Sequence, residues 1–144
     1  MRRAAALAVL IATSAAAQLN PERTIHEMAA RDDVQGIART IAAGVSPNVR
    51  DAAGRTPLHV AVEEVHLFAV MMLIAKGADP NVRDRARRTP LHLAAAGDRR
   101  REGERFQILK LLLVKGADRN AVDAEGRRPV DLAKIVEFKN ALRP

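Results

Sequence analysis

A chain of 144 residues is the length of one domain. With 24 Lys and Arg against 17 Asp and Glu it carries a formal charge of +7, and it has no cysteine. That excludes disulfides, thiolate chemistry and a lipid-anchoring cysteine. The only aromatic residues are Phe68, Phe106 and Phe138, which leaves few stacking surfaces for bases or sugars.

The first stretch reads as a leader. Arg2 and Arg3 are a positive start, Ala4–Ala12 is a nine-residue apolar core, and Ala15-Ala16-Ala17 is a small-residue cleavage site. An Ala-rich tail would share the composition but not this order, which is that of a secretory signal peptide over residues 1–17. The stretch is shorter than the roughly 20 apolar residues that a membrane span needs. Cleavage after Ala17 leaves Gln18–Pro144, 127 residues of charge +5, destined for the periplasm or the exterior.

From residue 23 the chain repeats itself. Residues 23–55 are a weak first copy, with Ile25-His26 near the start and Gly44-Val45-Ser46-Pro47-Asn48 near the end. Glu27, Arg39 and Thr40 stand where the next copy has Val60, Met72 and Leu73. A terminal unit has one face in water, so polar replacements there predict an N-terminal cap.

Residues 56–88 are the clearest copy. Thr56-Pro57-Leu58-His59-Val60-Ala61 returns 33 residues later as Thr89-Pro90-Leu91-His92-Leu93-Ala94. Thr56 suits a helix N-cap whose hydroxyl takes a free backbone N–H. Pro57 suits the first helical position, where its missing N–H costs nothing. Phe68–Ala75 is long enough for a second apolar helix. Gly77 can end that helix in the left-handed conformation, and Asp79-Pro80-Asn81 is turn chemistry. Two such helices cannot bury their own apolar faces, so the copies must stack.

The third copy, 89–127, is six residues longer between its helices. The extra length falls within 98–105, eight residues of which seven are charged, and predicts an extended, solvated turn. Arg128-Pro129-Val130-Asp131-Leu132-Ala133 opens a last unit, a C-terminal cap whose second helix is expected to be cut short at Pro144.

The 33-residue period with Thr-Pro-Leu-His starts resembles the ankyrin-repeat family over about residues 23–144. The resemblance implies an all-α solenoid of helix-turn-helix units joined by finger-like loops, with two central repeats and N- and C-terminal caps. It also implies that the finger tips and first helices line a concave face that binds another protein. Each repeated histidine is then expected to tie down its own turn.

Candidate chemistry is sparse. His26, His59 and His92 recur once per unit, but helices pack roughly 8–10 Å apart and metal ligands must converge to about 2 Å from an ion. His66 is expected to be an exposed inter-helix residue. Asp51, Asp84 and Asp123 recur in the loops and read as turn formers. With no phosphate-binding glycine loop, no Ser-His-acid set and no metal motif, neither enzyme activity nor a cofactor is expected.

The arginines carry the functional expectation. Finger tips hold Arg50, Arg55, Arg83, Arg85, Arg87, Arg88, Arg127 and Arg128, and the matching first-helix positions are Glu63 and Glu64, then Ala96 and Gly97. The expected partner-binding set is Arg50, Arg55, Glu63, Glu64, Arg83, Arg85, Arg88 and Arg127. Its ligand would be a protein with an acidic surface, bound by a monomer and without nucleic acid. Polyanions or anionic envelope surfaces are the alternative, and a merely solvated surface fits the same charges. Arg83, Arg85 and Arg88 are expected not to hold the stack together. Two departures stand out: Arg87 replaces the glycine of Gly54 and Gly126, at a cost of roughly 1–2 kcal/mol if left-handed, and Val65 replaces a helix-ending glycine, which predicts an altered turn.

Overall fold

The computed structural model describes residues 23–144, so the leader expected at 1–17 lies outside the described residues. Those residues form eight helices and no strand: α1 Ile25–Ala30, α2 Val34–Ala42, α3 Pro57–Glu63, α4 Leu67–Ala75, α5 Pro90–Ala96, α6 Glu102–Val114, α7 Pro129–Leu132 and α8 Val136–Leu142. None of the described helices is long and apolar enough to cross a membrane. The odd-numbered helices pack in series as one layer, and the even-numbered ones as a second.

Local chemistry sets the units. Thr56 and Thr89 are N-caps that form reciprocal capping boxes with the histidine three residues on, and proline opens each helix. Gly77 and Gly116, at φ 94° and 90°, take the chain left-handed after α4 and α6. Leu58, Ala61, Val62, Ala69, Leu73, Leu91, Ala94, Ile108, Leu109 and Leu112 are fully buried between the layers. Small alanines among them let neighbouring helices approach closely.

The ends behave as caps. Glu27 and Arg39 are exposed, whereas their counterparts further along are wholly or partly buried. Thr40 is half-buried, and its hydroxyl donates to Met28 Sδ at 3.4 Å. At the other end α8 does form, as seven residues against nine in α4. It buries Phe138 and Leu142, and the Phe138 ring stacks on Phe106 with centroids 5.4 Å apart.

Two expectations change. The insertion is not all solvated turn: α6 begins at Glu102, and Arg105 is only 6 % exposed. The reason is spacing, because Arg105, Ile108, Leu109 and Leu112 lie at i, i+3, i+4 and i+7 on the buried face. An Arg101–Glu104 ion pair of 2.9 Å and two acidic residues in the first turn favour the early start. The turn at Val65 is also not remodelled: Val65 is left-handed at φ 60°, and buried. Arg87 likewise stays left-handed at φ 58°, near the 74° of Gly54 and Gly126. The stack imposes the repeat geometry on both side chains.

Candidate functional site

Each finger closes on one aspartate. Asp84 Oδ1 accepts the Arg88 backbone N–H at 2.9 Å, and its Oδ2 accepts Arg88 Nε at 3.0 Å. Asp51 with Arg55, and Asp123 with Arg127, repeat both bonds. Burial pushes the carboxyls of Asp51 and Asp123 up, but the backbone and guanidinium bonds from Arg55 and Arg127 outweigh it and hold both below the ordinary value. The aspartates are therefore anionic staples, as their turn-forming pattern suggests.

This geometry divides the expected binding residues. Arg55, Arg88 and Arg127 are committed within their own fingers, and Arg55 also reaches Glu63 at 3.1 Å. Arg88 is thus spent within its own finger, because the Asp84 side chain it pairs with is only 3 % exposed, and this pair does not join one finger to the next. Arg50 Nη1 donates to the Arg83 carbonyl at 2.8 Å and so links neighbouring fingers. Among the described residues Arg83, Arg85 and Arg87 make no ion pair. Arg85 and Arg87 are exposed and Arg83 half-exposed. Glu64, the C-cap of α3, is exposed beside Glu63.

The histidines tie down more than their own turns. His59 Nδ1 accepts the Thr56 backbone N–H at 3.1 Å, and Nε2 lies 3.0 Å from the Arg88 carbonyl in the next finger. A carbonyl only accepts, so Nε2 carries the proton and the ring is neutral. His92 does the same with Thr89 and the Arg127 carbonyl, and His26 reaches the Arg55 carbonyl at 2.8 Å. Burial pulls the pKa of His59 and His92 below 6.5, against the carbonyl bond and the nearby aspartate. His66 is not an exposed residue: it is half-buried and donates from Nε2 to the Ala30 carbonyl at 3.0 Å.

A second ladder escaped the sequence reading. Asn48 donates to the Gly77 carbonyl at 3.2 Å and accepts the Asp79 N–H at 2.7 Å. Asn81 repeats this with Gly116 and Asp118. The 33-residue spacing of the two asparagines was the available signal.

Behind the fingers, the first helices shape a cavity of about 350 Å³ between Glu63, Leu93, Gly97, Arg105 and Lys134. Its site residue, Arg105, is also one that the sequence reading passed over as solvated. A Cβ on residue 97 would overlap the Arg105 guanidinium, so the missing side chain makes the room that the guanidinium fills. No group of three or more His, Cys, Asp or Glu among the described residues is placed to hold a metal ion.

A family description of ankyrin repeats, three copies, matches residues 25–123. The chain belongs to the ankyrin-repeat family. Two plant proteins share short stretches with this ankyrin chain. An acyl-CoA-binding domain-containing protein 4 of Oryza sativa subsp. japonica is 49 % identical over 49 residues, 34 % of this chain and 15 % of its own length. An acyl-CoA-binding domain-containing protein 2 of Arabidopsis thaliana is 42 % identical over 43 residues, 30 % of this chain and 12 % of its own length. The ankyrin chain therefore spans less than a sixth of either relative. Ankyrin repeats are in general protein–protein interaction modules.

Proposed function

We propose that this ankyrin protein is a non-catalytic binding partner of another protein, exported to the periplasm or beyond, with an accessory, protective or inhibitory role. The observation that carries the acidic-partner reading is the finger edge: Arg83, Arg85 and Arg87 present guanidinium groups with no ion pair among the described residues, while the neighbouring Arg55, Arg88 and Arg127 are spent on their own aspartates. Free guanidinium groups recognise carboxylates in a two-pronged geometry. Rim charges of this kind mainly raise the association rate and weaken with salt.

Replacement of Arg83, Arg85 and Arg87 by Glu is expected to preserve helicity and to slow partner capture at least about tenfold at low salt. The acidic partner, once recovered from an envelope extract, is the ligand to measure. Unchanged capture by the triple variant, with loss in an Arg99/Arg100→Glu control, would move the contact to the insertion. Polyanion binding is the second reading, favoured by the same free arginines. It predicts a salt slope that scales with the number of phosphates or sulfates contacted. Export predicts a mature N-terminus at Gln18, which mass analysis of protein from the native cell reads directly. Intact Met1 on that protein would refute it.

A further inference from the structure

Most charges around the first-helix cavity are accounted for. Glu63 is held by Arg55 at 3.1 Å, and Arg88 is held by Asp84 at 3.0 Å. Asp98 is largely exposed, with Arg100 at 3.9 Å. Arg105 is different. It is 6 % exposed, its Nε is buried with no hydrogen-bond partner, and its one bond, from Nη1 to the Leu93 carbonyl, is long at 3.4 Å. Lys134 on the same wall also makes no ion pair among the described residues.

A buried guanidinium without an acceptor is costly, and an apolar side chain of the same length would serve packing better. Burial lowers the Arg105 pKa, opposed by the Asp98 charge, but a guanidinium stays protonated throughout. Its cost is therefore not relieved by losing the proton. The glycine at position 97 is what admits the group, since any Cβ there would displace it.

We propose that this cavity is a socket for a carboxylate, presented by an acidic side chain of the bound protein, with Arg105 as the receiving fork and Lys134 as the second cation. The socket rests on the protein-binding reading and adds a defined anchoring point on the concave face. A carboxylate matches a planar fork in two parallel bonds from the guanidinium edge that lines the cavity, and so neutralises the buried cation, while Nε stays sealed behind that edge. A free inorganic anion offers similar oxygens, so the test separates the two sources.

The test uses the purified chain labelled with 15N and follows the Arg105 Nε–H and Gly97 amide signals. The probe is a capped Gly-Ser-Glu-Ser-Gly peptide, with the Gln version as control and inorganic phosphate as the competing source. Expected is a saturable shift of both signals at millimolar Glu peptide, at least tenfold weaker binding with Gln, and loss of the response in R105M. G97A, which fills the space from the other side, should lose it too, so the proposal stays testable if R105M fails to fold. Saturation by phosphate at lower concentration than by the Glu peptide would overturn the peptide source. Equal shifts with the Glu and the Gln peptide would show that the carboxylate is not what is recognised, and would overturn the proposal. So would a peptide response confined to the finger signals. That last result leaves the finger-edge reading standing, whereas unchanged partner capture by the Arg83/Arg85/Arg87→Glu variant, with an intact Arg105 response, removes the finger edge and keeps the socket.

Discussion

At the residue scale, the informative side chains are those that break the repeat and keep its geometry. Arg87 is exposed and left-handed at φ 58°, where Gly54 and Gly126 occupy the matching turns. The left-handed penalty is roughly 1–2 kcal/mol, and glycine gives back about 0.5–1 kcal/mol through unfolded-state entropy. Arg87→Gly is therefore expected to stabilise the chain by about 0.5–1 kcal/mol, read as a higher melting temperature. A lower one would mean that the arginine side chain supports the finger. Val65 offers no such clean trade, because its side chain is buried and loses packing when removed. The commitment of Arg88 was readable in principle. An Asp-x-x-x-Arg spacing occurs at Asp51/Arg55, Asp84/Arg88 and Asp123/Arg127, but a list of finger arginines does not say which are paired.

At the element scale, α6 joins the insertion to the core. Its buried stripe of Arg105, Ile108, Leu109 and Leu112 packs against α4, α5 and α8. Leu112 is fully buried, like its counterpart Leu73, while Thr40 in the cap is half-buried. Leu112→Ala is expected to cost about 2–5 kcal/mol, the range for a leucine whose cavity cannot collapse. With four helix pairs sharing one core, denaturant melts should show a single transition at a lower midpoint. An unchanged midpoint would mean that α6 is packed in a different register. The extra helical turn at Glu102–Arg105 holds no apolar residue, so apolar periodicity could not announce it. Its buried member is a charged residue, three positions before Ile108, and only the packed helix shows that Arg105 continues the stripe.

At the scale of the whole molecule, neutral histidines and aspartate staples link stability to pH. Above the ordinary histidine value of 6.5, His59 and His92 are neutral in both folded and unfolded chains, and stability is complete. As pH falls below 6.5 the unfolded chain takes up protons first, so stability declines until the buried rings, with their lowered pKa, protonate as well. The decline is at most about 1.4 kcal/mol per pH unit for each ring. Asp51 and Asp123 act later: their stabilisation holds above 3.8 and is lost as pH drops through their lowered folded values. Urea midpoints compared at pH 7.5 and 5.5 isolate the histidines, and equal midpoints would rule out the linkage.

The repeat, its helix pairs and its caps were determined by the sequence alone. Each depends on spacings within about 33 residues, on proline, glycine and threonine at helix ends, and on apolar periodicity, all of which are local. Basic fingers were visible for the same reason, as a count of charges. Which of those charges are free was decided only by the tertiary structure, because a guanidinium is spent or spare according to the carboxylates and carbonyls that stacking brings to it. His59 meets the Arg88 carbonyl 29 residues away, and Arg50 meets the carbonyl of Arg83 33 residues away. Arg105 is the extreme case. A charged residue in a charged stretch becomes a buried one because α6 starts early and Gly97, on another helix end, leaves the space that the guanidinium fills.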